Sequence, residues 1–255
     1  MDRIVKRNGQ VVPYDGAKIV LAIEKSFLSV NESVDQAYLS DLLEQIEAQF
    51  DGRQEVDVEE IQDTVEKILM KNEKYNVAKS YILYREKRTQ MRNDRLELVK
   101  LIGDEELEDV LVDIQKAYPD LKRLYEKFST MSKEGQSLKD RIALLTRSSA
   151  ELTTKEEPNW ERIAGRLLSY SIACDLKATE EKLGLTSFYQ KISYMIEQGL
   201  YGAYILENYS HKEVDEIASL IDNTRNNLFT YSGLDLLSQR YLIRNHQHVL
   251  LESPQ

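Results

Sequence analysis

Apolar residues recur at helical spacing four times in the first third of the chain. Ile19, Ala22, Ile23 and Phe27 share one helical face, as do Leu39, Leu42, Leu43 and Ile46. Ile61, Val65, Ile68 and Leu69 repeat the pattern, followed by Val77, Ala78, Tyr81 and Ile82. This spacing predicts four amphipathic helices: one after Asp15, a second from Ser33 or Asp35 to about Phe50, a third from Asp57 to Asn72, and a fourth from about Tyr75 to Arg92. Asp15 and Asp57 are candidate N-caps, because a carboxylate there accepts from the first free N–H groups of the helix. Ahead of the helices, Ile4-Val5 and Val11-Val12 flank Asn8-Gly9. That dipeptide is favoured in two-residue hairpin loops, where both residues take positive φ. Val56-Asp57-Val58 forms another short β-branched run.

Further along, Leu96, Val99, Leu101 and Ile102 begin an apolar run that Gly103 interrupts, and Asp104 to Asp109 opens a helical pattern reaching Pro119. The acidic turn reads as a helix start rather than a metal site, since acidic residues suit the first turn and no His is near. Two more helices are expected at Asp120–Phe128 and Leu138–Leu145. Pro158 stops one helix and Asn159 is a candidate cap for the next, whose buried stripe is Trp160, Ile163, Ala164, Leu167 and Leu168. Cys174 reads as a small core residue. Arg240 to Arg244 and Val249 to Leu251 suggest a terminal hairpin with His246 and His248 at its tip, surface residues rather than metal ligands. The fold class is mainly α, with expected divisions at 1–92, 93–149 (a helical connector) and 150–255.

Composition sharpens this. The 255 residues are 31% charged and 42% hydrophobic, with only 10 Gly and 4 Pro, which favours compact helical units over disorder or an all-β sandwich. A net charge of −10 argues against binding along nucleic acid, which needs a broad basic field. A single cysteine excludes a disulfide framework, a Cys-based zinc site or a cysteine redox pair within this chain. No apolar run approaches the roughly 20 residues of a membrane span, and the start is not a signal peptide, so a cytoplasmic location is expected. Against this acidic background Lys6, Arg7 and Lys18 stand out. They can converge on one anion, or they can be solvated surface charges. The basic run Tyr84-Arg85-Glu86-Lys87-Arg88 falls in the last turn of the expected fourth helix, where cations also complement the helix dipole.

Several ordered motifs decide between these readings: Val5-Lys6-Arg7-Asn8-Gly9, Val12-Pro13-Tyr14-Asp15 with Lys18-Ile19, Val58 to Glu66, and Val77 to Arg88. Together they make residues 3 to about 92 closely resemble the ATP-cone, a small regulatory nucleotide-binding domain. The resemblance implies a β-hairpin lid over a four-helix bundle with ATP or dATP beneath the lid, in company with Mg2+. It places Ile4, Lys6, Arg7, Asp15, Lys18, Val58, Gln62, Lys87 and Arg88 at the effector. Clustered cations suit a triphosphate even in an acidic protein, because charge-assisted hydrogen bonds are strong. Some members carry His or Asp where this chain has Gln62, and Thr where it has Val58.

The stretch Leu152-Thr153-Thr154-Lys155 through Trp160 to Leu168 is similar to the N-terminal helical region of the ribonucleotide reductase large subunit. So are Phe188 to Ile192, Phe229 to Gly233, Arg240-Tyr241-Leu242 and Glu252-Ser253-Pro254-Gln255. This resemblance implies an allosteric part of an enzyme that reduces ribonucleotides to deoxyribonucleotides, partnered by a catalytic barrel, a radical-generating subunit and further copies of itself. The barrel and its cysteines are not represented in these residues and Cys174 matches none of them. The chain alone is therefore expected to lack catalytic residues and reductase activity. The alternative is a stand-alone nucleotide-sensing regulator or assembly adaptor. A repressor with a zinc ribbon is excluded by the cysteine count.

Overall fold

The computed structural model describes residues 1–7 and 9–255. They divide into two compact units, Met1–Gln90 and Met91–Gln255, both mainly helical. The first unit begins with strands β1 (Arg3–Val5) and β2 (Val11–Pro13), helices α1 (Gly16–Ser29) and α2 (Gln36–Ala48), then strand β3 (Glu55–Asp57) and helix α3 (Val58–Lys71). Helix α4 (Tyr75–Ile102) starts in this unit and continues past its boundary.

The expected hairpin is one part of a three-stranded sheet in the order β2-β1-β3. Ile4 of β1 lies opposite Val12 in the antiparallel pair and opposite Val56 in the parallel pair. The connecting loop is longer than a two-residue turn. The Gly9 N–H donates to the Lys6 carbonyl at 2.8 Å and the Lys6 N–H to the Gln10 carbonyl at 2.9 Å. Gly9 has φ +79°, which glycine adopts without strain; Asn8, expected to share the turn, lies outside the described residues.

Beneath the sheet, the four apolar faces meet in one core. It buries Ile23, Phe27, Leu39, Leu42, Ile46, Val65, Leu69, Val77 and Ala78 almost completely, with Ile4, Ala22 and Leu43 packed at its margin. Each such Leu, Ile or Phe contributes about 1.5–3 kcal/mol by leaving water. Caps add less but set the boundaries. Asp15 accepts from the Ala17 N–H at 3.2 Å and Asp35 from the Tyr38 N–H at 2.7 Å, so Asp35 rather than Ser33 starts α2. Asp35→Ala is expected to cost the first unit about 1 kcal/mol, measurable as a lower urea midpoint by circular dichroism. Asp57 holds the cap position of α3, yet its side chain makes no capping bond. Its backbone is already committed to β3, opposite Val5.

Helix α4 departs most from the expected bounds. It runs ten residues beyond Arg92 and ends where Gly103 takes φ +72°. No Gly or Pro interrupts residues 75–102, so nothing in the backbone stops it. Val99, Leu101 and Ile102 are its last turns, while Leu96 points outward. The basic run Tyr84 to Arg88 is therefore mid-helix, and the helix dipole does not account for it.

The second unit contains α5 (Leu107–Ala117), α6 (Lys122–Met131), α7 (Leu138–Ala150), α8 (Asn159–Leu183), α9 (Phe188–Glu197), α10 (Tyr204–Asn208), α11 (His211–Ala218), a 3-10 helix (Asn223–Leu228) and α12 (Tyr231–Arg240). One apolar cluster joins Leu98, Leu107, Leu111, Leu124, Phe128 and Leu145 to Trp160, Ile163 and Leu167. Residues 93–149 and the helix after Pro158 thus share a core. Pro158 itself occupies the cap position of α8, and Asn159 is the first helical residue rather than the cap. Its fixed φ suits that place, and it needs no backbone donor there. Ser187 with Gln190, and Ser210 with Glu213, form reciprocal capping boxes at α9 and α11. On α8, Gly165 is buried against the backbone of Phe229 to Tyr231; a Cβ there would lie 2.7 Å from the Phe229 carbonyl oxygen.

Near the end, the expected hairpin is reduced to a single antiparallel bridge between Arg244 and Leu250. Asn245 organises the loop, its Oδ1 accepting from the Gln247 and Val249 N–H groups, both at 2.9 Å. His246 and His248 are exposed, with the His246 ring 3.1 Å from the Gln198 carbonyl. Cys174 is half-buried rather than in the core; burial pushes its thiol pKa up, with Tyr170 as hydrogen-bond partner. Among the described residues no helix is long and apolar enough to cross a membrane, and no group of three or more His, Cys, Asp or Glu is placed to hold a metal ion.

Candidate functional site

Burying one face of α3 leaves Glu59, Asp63 and Glu66 as an acidic stripe at helical spacing on another. Helix α4 answers with Arg85, four residues after the buried Tyr81. Its Nη1 donates to Asp63 at 2.6 Å and to Glu66 at 2.7 Å, and its Nη2 donates to Glu59. From the hairpin turn, Arg7 reaches the same helix. Its Nε donates to the other Glu59 oxygen and its Nη2 to Gln62 Oε1 at 2.8 Å. Glu59 therefore bridges a cation of the lid and a cation of the bundle.

Electrostatics follow this geometry. Burial pushes the Glu59 carboxyl up, but hydrogen bonds from Arg7 and Arg85 outweigh it and hold its pKa below the usual carboxylate range. Burial works against the charged form of Arg85, and the hydrogen bonds it donates to Asp63, Glu66 and Glu59 reverse this and keep it firmly cationic. The neighbouring Tyr81 phenol is pushed up to about 12, chiefly by burial.

The other sequence-selected residues fall into four places. Ile4 is half-buried in β1 beside Val56, and Val58 opens α3, so these two flank the junction of sheet and helix where Arg7 meets Gln62. Lys6 is exposed on the turn, with Nζ 3.3 Å from Gln10 Oε1. At the start of α1, Asp15 caps the helix through one oxygen while the other lies 3.3 Å from Lys18 Nζ; the Lys18 side chain is 81% exposed. Lys87 and Arg88 are exposed on α4 and not joined to the Arg7–Glu59 cluster. At about 100° per residue, Lys87 lies on the opposite side of α4 from Arg85. It lines a separate indentation of about 470 Å³ with Val30, Lys79, Ser80, Leu83 and Tyr84.

Arg85 and Glu59 are the residues that sequence reasoning passed over. A signal existed: Ala78, Tyr81 and Arg85 share one face of α4, and Glu59, Asp63 and Glu66 share one face of α3. A larger cavity of about 1,230 Å³ belongs to the second unit. Its cations are already neutralised, Arg166 by Asp113 at 3.1 Å and Lys191 by Glu180, so it offers little free positive charge to an anion.

The first unit is thus a short sheet over a four-helix bundle, with Lys6 and Arg7 on the turn beside β1 and Lys18 at the start of α1. The family model described as the ATP cone domain matches residues 2–90. Ribonucleoside-diphosphate reductase subunit alpha of Treponema pallidum is 41% identical over 263 residues, an alignment covering 99% of this chain and 31% of that protein. The subunit of the same name from Chlamydia pneumoniae is 29% identical over 291 residues, covering 99% of this chain and 27% of that protein. The vitamin B12-dependent ribonucleoside-diphosphate reductase of Thermoplasma acidophilum is 43% identical over 98 residues, 36% of this chain and 12% of that protein. Residues 2–90 thus match the ATP cone domain, and the whole chain is similar to a part of the ribonucleoside-diphosphate reductase alpha subunits. It spans less than a third of the length of the reductase subunits it matches.

Proposed function

We propose that the first unit binds ATP or dATP as an allosteric effector and that the chain serves as the regulatory N-terminal part of a ribonucleotide-reducing enzyme. The observation that carries this reading is Arg7. A hairpin of an ATP-cone domain holds its guanidinium over α3 beside Gln62, with Lys6 on the same turn and Lys18 exposed at the start of α1. In this reading Lys6, Arg7 and Lys18 take the phosphates, while Ile4, Val58 and Gln62 flank the nucleoside; Asp15 positions Lys18. Mg2+ would arrive on the triphosphate and be held by phosphate oxygens, since Glu59, Asp63 and Glu66 are engaged by arginines. Lys87 and Arg88 would enter only through movement of their long side chains.

Regulation then requires that ATP and dATP favour different states of the assembly, because an effector shifts an equilibrium only by its differential affinity for the two states. The partners in this reading are the catalytic barrel, a radical-generating subunit and further copies of the chain. Isothermal titration of the chain with ATP and with dATP tests the first step. Saturable binding in the micromolar range, about −8 kcal/mol at 1 μM, is expected; absence of heat at high micromolar nucleotide rejects the reading. Capture of a barrel-containing partner, with an affinity that differs between the two nucleotides, tests the second.

A further inference from the structure

We infer that Glu59 is a built-in competitor for Arg7, and that it sets the effector concentration at which the site fills. This rests on the nucleotide reading above. In the structure the guanidinium expected to meet phosphate is already engaged, its Nε on Glu59 and its Nη2 on Gln62. A carboxylate and a phosphate present the same acceptor geometry to an arginine fork, so the two exclude one another at Arg7 Nε. Charge adds to this. Two arginines face three carboxylates in the cluster, leaving a net negative site beside Arg7.

The exchange is feasible because of Arg85. Each Glu59 oxygen has its own cation, so when Arg7 leaves, Glu59 keeps Arg85 and is not stranded. Removing one partner from a charge pair is costly chiefly when the other is left without compensation. The pair is also partly solvent-exposed, at 30% for the Arg7 side chain and 46% for Glu59, which keeps it in the range of a modest, reversible contact. Gln62 completes the device. It holds Arg7 through a neutral oxygen, so the guanidinium can stay aimed at the helix while it trades one anion for another.

The test titrates ATP into the full chain carrying Glu59→Gln, Arg7→Ala, or both, with thermal melts to confirm that each is folded. Glu59→Gln keeps the shape and removes the competing charge, so ATP is expected to bind about threefold to tenfold more tightly. The gain must vanish when Arg7 is already Ala, because the competition runs through that side chain. A gain that persists in Arg7→Ala would mean general relief of negative charge and overturns the inference. Unchanged or weaker ATP binding by Glu59→Gln, with wild-type binding intact, also overturns it and leaves the nucleotide reading standing. Failure of the wild-type chain to bind ATP removes that reading and the inference with it.

Discussion

Gly165→Ala is expected to destabilise the second unit by about 3 kcal/mol, lowering its melting temperature by roughly 6–12 °C at 2–4 °C per kcal/mol for a unit of this size. The added methyl would sit 2.7 Å from the Phe229 carbonyl oxygen and 3.0 Å from the Thr230 carbonyl carbon and the Tyr231 nitrogen. These are backbone atoms at the entry to α12, so no side-chain rotation relieves the clash. Either α8 and the entry segment separate, which uncovers Leu234 and the residues around it, or the helix bends. Trp160, the chain's one tryptophan, is buried near the start of the same helix and reports the transition by fluorescence. A loss below about 1 kcal/mol, under the usual range for overpacking, would mean that the Phe229 to Tyr231 segment yields freely.

The second large effect is on binding. Arg7→Ala is expected to weaken ATP binding about tenfold to a hundredfold, since a hydrogen bond to a charged group contributes roughly 1.5–3 kcal/mol. Lys6→Ala combined with Lys18→Ala should abolish binding at high micromolar nucleotide, because both ammonium groups are exposed and, among the described residues, engaged with Gln10 and Asp15. The fold should survive all three changes. Glu59 keeps Arg85 when Arg7 is removed, and neither lysine packs in the core. Titration calorimetry reads both results, and full-strength binding by the double lysine variant would remove those residues from the site.

Much of the first unit was legible in the sequence because each of its helices buries one clear stripe. Ile61, Val65, Ile68 and Leu69 announce α3, and the same four residues lie in the core. What escaped lacks a local signature. Strand β3 is three residues long, and its partner is about fifty residues away, so no periodicity reveals the pairing. The continuation of α4 was hidden because Thr89 to Arg95 is almost wholly polar; a helix passing between two cores has no single apolar face to display. The resemblance pointed to Lys87 and Arg88 in the basic run on α4, whereas the contacts with α3 are made by Arg85. Charge count alone does not separate Arg85 from Lys87, which lies on the opposite side of the helix. Gly165 is likewise silent in sequence, since what forbids a side chain there is backbone more than sixty residues further on.

The position of β1 in the middle of its sheet also bears on the order in which the unit assembles. The β1–β3 pair sets Arg3 beside Glu55, closing a loop whose entropy loss must be met before any ladder bond forms. Helices α1 and α2 lie within that loop, and their local contacts can form without it. Pairing of β1 with β3 is therefore expected to follow the formation of α1 and α2, and with it the meeting of Arg7 and Glu59.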